Sequence, residues 1–381
     1  MGNVYWVNGS CRRGCKVHRT TFGLSLIAAA STMMPVPAVA QSPSEVFADA
    51  RKLVTKDAIE DVGMVPIGGI DQWISVRGRH SDNPILLWIH AGPGFTASPI
   101  SYYYMRDWEE YFTLAHWDQR GAGKTYMAND PGKVRPTMSI KRMVDDAEEV
   151  AAHLRQRYGK RKIIVMAHSF GTIIGLQLAQ RHPDWFHVYV GTGQFIDFQK
   201  SEAEGFEATL ADAREANNRQ AIDDLTRIAP FPDPVHPERN VQNLGVERKW
   251  LAAFGGYYWP RGEGHFVKIA RMSPDYTADE FGRMMGEGQS FSNQALWGEM
   301  GTIDYTDLIS FRLPVVILQG RHDRGTSASL IAEWFGRVKA PSKQIVWFED
   351  SAHMAHEEES GKMLVSLVNI VRPLALDEAR R

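Results

Sequence analysis

Cysteine is nearly absent from this chain, with two in 381 residues, Cys11 and Cys15. Two thiols so close in sequence cannot staple a chain of this length, so a large apolar core has to hold it together. An excess of one charge is missing as well, with 43 Lys and Arg against 45 Asp and Glu. That balance excludes the broad basic face that nucleic-acid binding needs. No apolar run approaches the roughly 20 residues that span a bilayer, and there is neither an internal repeat nor a low-complexity tract. An apolar fraction of 44% is ordinary for a globular protein. The length fits two domain-sized units, or one large one with an insertion.

What is present is unevenly spread. Residues 1–40 carry Arg12, Arg13, Lys16 and Arg19 and no acid, then an apolar run over 22–30 and the end Ala38-Val39-Ala40. A basic start, a short apolar middle and an Ala-x-Ala end are the three parts of a secretory signal peptide. Removal of 1–40 on export, to the periplasm or the outside medium, is therefore expected. The mature chain then begins near Gln41, is more acidic, holds no cysteine and keeps no membrane insertion. Arg12-Arg13 leaves the export route open.

Beyond a polar linker and short helix, apolar runs alternate with helical patterns. Strands are expected at 73–76, 85–89, 113–117, 163–167, 187–191, 315–319 and 344–348. Several are continuous Ile/Val/Leu runs, as in strands buried on both faces of a parallel sheet. Between two of them, Ile140, Met143, Val144, Ala147, Val150, Ala151 and Leu154 recur at helical spacing, with Ser139 as cap and Gly159 as stop. Such alternation predicts an α/β fold with helices on both faces. The rhythm breaks over 197–305, a helical and aromatic-rich stretch containing Tyr257-Tyr258-Trp259. We read 41–196 and 306–381 as two parts of one core and 197–305 as a helical cap inserted between them.

The chemistry-bearing residues follow strand ends. Ala167-His168-Ser169-Phe170-Gly171 lies between a strand and the helical run 172–180, which is the setting of a nucleophile elbow. The competing reading is a serine that only caps the helix. Asp323 follows the strand at 315–319, and His353 follows the strand at 344–348. Loops at one edge of a parallel sheet converge, so Ser169, Asp323 and His353 form a candidate nucleophile, acid and base. Glu349 and Asp350 are alternative acids. His168 and His322 read as pocket or structural residues, and His353-x-x-His356 with Glu357 and Glu358 as a metal site lacks a third ligand cluster. After the strand at 85–89 comes His90-Ala91-Gly92-Pro93-Gly94, whose Ala91 or Gly92 N–H, with that of Phe170, would make an oxyanion hole.

These motifs, with Trp117-Asp118-Gln119-Arg120-Gly121-Ala122-Gly123, resemble α/β-hydrolases of the proline iminopeptidase-like group over about 60–196 and 310–360. The resemblance implies an eight-stranded, mostly parallel sheet, a helical cap, a triad at Ser169, Asp323 and His353, and no cofactor. Asp118 and Arg120 match a segment that shapes the site, and we read them as structural pairing groups. The departures bear on substrate. Ala91 stands where the peptidases usually have Gly, and Ala-His-Ser-Phe-Gly replaces Gly-Gly-Ser-Trp-Gly. The cap's Arg248–Phe254 stretch also lacks the second Trp and the Glu of a Trp-x-x-Trp-Glu segment whose acid holds the substrate amine. Glu202, Glu207, Glu247 or Glu299 would have to replace it. Two activities fit: an aminopeptidase on short peptides, or an esterase, lactonase or amidase on small apolar acyl substrates. In the second, Trp250, Phe254, Tyr257, Tyr258 and Trp259 would wall the pocket. The partner is a small-molecule or short-peptide substrate in both.

Overall fold

The structure, a computed structural model, describes residues 41–260 and 264–379. The expected signal segment and both cysteines lie outside the described residues. The chain builds one eight-stranded sheet from β1 (Ile59–Ile67), β2 (Ile70–Gly78), β3 (Ile85–Ile89), β4 (Thr113–Trp117), β5 (Ile163–His168), β6 (Phe186–Thr192), β7 (Val315–Gly320) and β8 (Lys343–Phe348). Their spatial order is β1-β2-β4-β3-β5-β6-β7-β8. Strand β2 runs antiparallel to both β1 and β4, and the pairings from β4 through β8 are parallel.

Seven strands sit where the apolar runs predict them. The eighth, β1, has no counterpart among the expected strands, because Glu60, Asp61, Val62, Gly63 and Met64 are all exposed. Five successive exposed residues leave no apolar alternation to read through the middle of this edge strand. Its register is instead set by a two-residue turn in which Ile67 pairs with Ile70. Gly68 and Gly69 there both take positive φ (58° and 78°), as the tightest hairpin turn requires.

The central strands divide their side chains between two clusters, as the two-residue period of a strand demands. Leu87, Ile89, Ala115, Val165, Ala167 and Ile317 enter one core, which is covered by helices Ile140–Arg157 and Phe170–Arg181. Leu86, Trp88, Leu114, Ile164, Met166 and Val316 enter the other, which is covered by Trp108, Phe112, Met363, Leu367 and Val371. Burial of each Leu, Ile, Val or Met side chain here contributes about 1.5–3 kcal/mol. Helix Ile140–Arg157 begins where Ser139 Oγ accepts the Arg142 N–H at 3.1 Å.

Between β6 and β7 the described residues form helices and no strand; among the helices are Phe198–Glu215, Glu238–Ala253 and Gln289–Met300. The two ends of this segment meet. Phe198 N–H donates to Ile303 O at 3.0 Å, and Tyr305 N–H donates to Ile196 O at 2.7 Å. Phe198, Phe206, Trp250, Trp297 and Met300 from this segment join the first core cluster, so the excursion is packed onto the sheet-covering helices.

Candidate active site

Ser169 occupies the junction between β5 and helix Phe170–Arg181 with φ 52° and ψ −124°. A non-glycine residue there costs on the order of 1–3 kcal/mol, so the surroundings must hold it. Its N–H donates to Thr192 O at 3.0 Å, and its carbonyl accepts from Thr172 N–H and Oγ1–H at 2.8 and 2.7 Å. The side chain makes no capping hydrogen bond, which removes the reading of Ser169 as a mere helix cap. Close packing explains Gly171: a Cβ there would lie 2.2 Å from Ile89 O and 2.6 Å from His90 O. The helix start is thereby pressed against the end of β3. Ala167 is accommodated by Gly175, where an added Cβ would come within 2.8 Å of the alanine methyl.

His353 and Asp323 meet across thirty residues of sequence. Imidazole Nδ1 is 3.0 Å from each Asp323 oxygen. Asp323 also accepts from Thr326 N–H at 2.8 Å, Thr326 Oγ1–H at 2.7 Å and Gln319 Nε2–H at 2.8 Å. A carboxylate so surrounded accepts the Nδ1–H and leaves Nε2 as the unprotonated nitrogen of neutral His353. The ring rests against Gly193, where a Cβ would lie 2.8 Å from Cε1. The alternative acids are elsewhere: Glu349 pairs with Arg321 at 2.8 Å, and Asp350 is exposed.

His168 donates Nε2–H to the His353 carbonyl at 3.1 Å, so it supports the backbone of the His353 loop. Burial keeps its pKa well below the ordinary histidine range and pushes that of His356 down to about 3. His322 stacks on Trp259 with ring centroids 3.9 Å apart. Among the described residues no group of three or more His, Cys, Asp or Glu side chains gathers as a metal site.

The loop after β3 is fixed by His90. Its Nε2 accepts the Gln119 N–H at 3.1 Å, so Nδ1–H donates to Ala91 O at 2.6 Å. Burial holds the ring neutral, with a pKa lowered to about 4. Arg120 pairs with Asp146 at 2.8 Å. Asp118 accepts from Thr96 and Ser98 hydroxyls at 2.6 and 2.8 Å, and burial raises its pKa. Ala91, Gly92, Ser169 and His353 line one cavity of about 460 Å³. Phe170 N–H is the first of its helix and has no partner within it. A hydroxyl and a carboxylate-paired imidazole on one cavity, with a helix N-terminus directly behind the hydroxyl, are components of acyl transfer.

The aromatic residues correct the sequence reading. Tyr257 and Tyr258 line the cavity, but Trp250, Phe254 and Trp259 do not. Leu244, Arg248, Lys249 and Ala252 make the cavity-facing side of helix Glu238–Ala253, and the roughly 100° step per residue turns Trp250 away. Trp250 instead donates Nε1–H to Asp224 at 3.1 Å and stacks on Phe254. Trp259 is engaged with His322.

The four acids of 197–305 fall into two groups. Glu299 accepts the Ile140 N–H at 2.7 Å, and Glu207 is exposed. Glu202 and Glu247 are both buried and flank Arg248, each at 2.5 Å. Glu202 and Arg248 line the cavity. Glu202 Oε2 and Glu247 Oε1 meet no hydrogen-bond donor among the described residues. Two carboxylates share one guanidinium, and burial raises the Glu247 pKa to about 7. Spacing alone does not mark Glu202, since a single Glu on a helix is usually solvated.

The alpha/beta hydrolase fold family matches the chain over residues 84–360. The probable aminopeptidase YbaC of Bacillus subtilis (strain 168) is 29% identical over 309 residues, which is 80% of this chain and 94% of the relative. The solved proline iminopeptidase-related protein from Thermus thermophilus superposes with a TM-score of 0.60 at 21% identity, covering 83% of this chain and 98% of its own. The proline iminopeptidase of Mycobacterium smegmatis superposes with a TM-score of 0.62 at 17% identity, covering 84% and 100%. Likeness at these identities to the two solved structures is a likeness of fold.

Proposed function

The chain belongs to the alpha/beta hydrolase fold family, and we propose that it is an exported serine hydrolase that releases N-terminal residues from short peptides. Ser169 Oγ attacks the scissile carbonyl carbon while His353 Nε2 takes the hydroxyl proton. Asp323 holds the imidazole by Nδ1 and stabilises its positive charge. The tetrahedral oxyanion is received by the N–H of Phe170 and that of Gly92 or Ala91, each worth about 3–4 kcal/mol in the transition state. His353 then gives its proton to the leaving amine, the C–N bond breaks, and an acyl-enzyme ester remains on Ser169. Water, deprotonated by the same His353, hydrolyses that ester and restores the serine. In this reading 197–305 is the cap that closes over the reaction.

The observation that carries the aminopeptidase choice is Glu202, a buried carboxylate on the cavity wall with one oxygen lacking a donor. A substrate ammonium supplies that donor and balances the excess negative charge of Glu202, Arg248 and Glu247. The Bacillus subtilis relative, described as a probable aminopeptidase, agrees with this reading. The second reading, an esterase, lactonase or amidase, is favoured by the mainly apolar remainder of the wall. Rates on aminoacyl p-nitroanilides, p-nitrophenyl esters and lactones separate the two. Turnover of the anilides is expected, and activity confined to esters and lactones would overturn the aminopeptidase reading. Export rests on the residue pattern of 1–40, and the intact mass of the exported protein, expected to begin near Gln41, tests it.

A further inference from the structure

We infer that this enzyme prefers a large apolar N-terminal residue (Phe, Leu or Met) to proline, and that Phe195, Phe198, Leu244, Trp297 and Met300 form the wall receiving it. The inference rests on the aminopeptidase reading above and specifies its substrate. The α-amine and the side chain of an N-terminal residue leave the same carbon, which is itself bonded to the carbonyl that Ser169 attacks. Fixing the amine at Glu202 therefore fixes where the side chain must go. Glu202 lies one helical turn beyond Phe198, on the same buried face of helix Phe198–Glu215. Both residues line the cavity.

The wall around that point is aromatic and closely built. Phe198 packs edge-on against Trp297 with centroids 5.2 Å apart, and Phe195 lies 5.4 Å from Phe198. Phe195, Phe198, Trp297 and Met300 are each less than a tenth exposed, so they form a dry surface backed by the core. Met300 adds an adaptable edge, since its unbranched side chain conforms to varied shapes. A prolyl ring, three methylenes closed back on the amine, covers little of such a wall. The cavity, at about 460 Å³, is in the range that holds a whole drug-sized ligand. Longer apolar side chains remove more of this surface from water, and each added methylene improves binding.

The test compares kcat/KM for Phe-, Leu-, Met-, Ala- and Pro-p-nitroanilides, with the wild-type protein and Met300→Ala. Expected is a preference of about 10- to 200-fold for the best of Phe, Leu and Met over Pro and Ala. Met300→Ala should lower the Leu-over-Ala ratio about fivefold or more, with a melting temperature showing that the variant is folded. A Pro-anilide turned over as well as or better than the others overturns the inference while leaving the aminopeptidase reading standing. So does a Leu-over-Ala ratio unmoved in folded Met300→Ala. If no anilide is cleaved while p-nitrophenyl esters are, the aminopeptidase reading falls and takes the inference with it.

Discussion

The Nδ1 atom of His353 lies 3.0 Å from both carboxylate oxygens of Asp323. A shared N–H between two equidistant oxygens fixes the plane of the ring as well as its tautomer. Asp323 in turn has no freedom to swing, because Gln319 and Thr326 donate three further hydrogen bonds to it.

Replacing Asp323 by Asn should therefore lower kcat by about a thousandfold or more, since the amide no longer dictates which ring nitrogen carries the proton. KM should change little, because Asp323 does not reach the substrate. Steady-state kinetics on the best substrate checks this, and a KM-only effect would place Asp323 outside the proton path.

The Glu202–Arg248–Glu247 group predicts a pH effect on binding. Burial chiefly, with the Glu202 carboxylate adding to it and Arg248 opposing, raises the Glu247 pKa to about 7. As pH falls through that value Glu247 takes up a proton, and the cluster loses its excess negative charge. A substrate α-amine, with an ordinary pKa of about 7.7–8.0, becomes more fully cationic over the same interval, so a rise in KM on acidification runs against the amine's own titration and reports on the cluster. KM for an aminoacyl anilide should therefore rise about three- to tenfold between pH 8 and pH 6. Glu247→Gln, fixed in the neutral state, should show the high KM at both values. Parallel KM profiles for wild type and variant would refute the assignment.

Glu358 ties the loop that carries His353 to the aromatic segment beside it. One of its oxygens accepts the Ala352 N–H at 2.7 Å, next to His353, and the other accepts the Trp259 N–H. Met354 N–H also donates to Tyr257 O at 3.1 Å, so the histidine loop is sewn to the aromatic segment beside it. Glu358→Ala should lower kcat about tenfold or more with KM within twofold, and Glu358→Gln should recover part of the loss. An equal fall in both parameters with a large drop in melting temperature would mean that the residue only holds the fold.

The legible parts of this molecule are those where burial imposes a pattern. Strands covered on both faces are nearly continuous apolar runs, so β3, β5 and β7 are visible as sequence. Ser169, Asp323 and His353 are visible because each must follow a strand end. Exposed edge strand β1 has no such pattern, and its only mark is Gly68-Gly69. Trp250, Phe254 and Trp259 mislead because an aromatic run says that something is covered, not what. Only the helical phase of 244–252 decides which side chains meet the cavity. Glu202 and Glu247 are equally ambiguous, since the difference between a solvated acid and one paired with Arg248 lies in tertiary packing.

Every role assigned to the other site residues depends on Ser169 being the nucleophile. Its most direct measurement is the kcat of folded Ser169→Ala, against wild type, on whichever substrate the wild-type protein turns over best. A loss of about 10⁴-fold or greater is expected. A variant that keeps a tenth of the wild-type rate or more would contradict it.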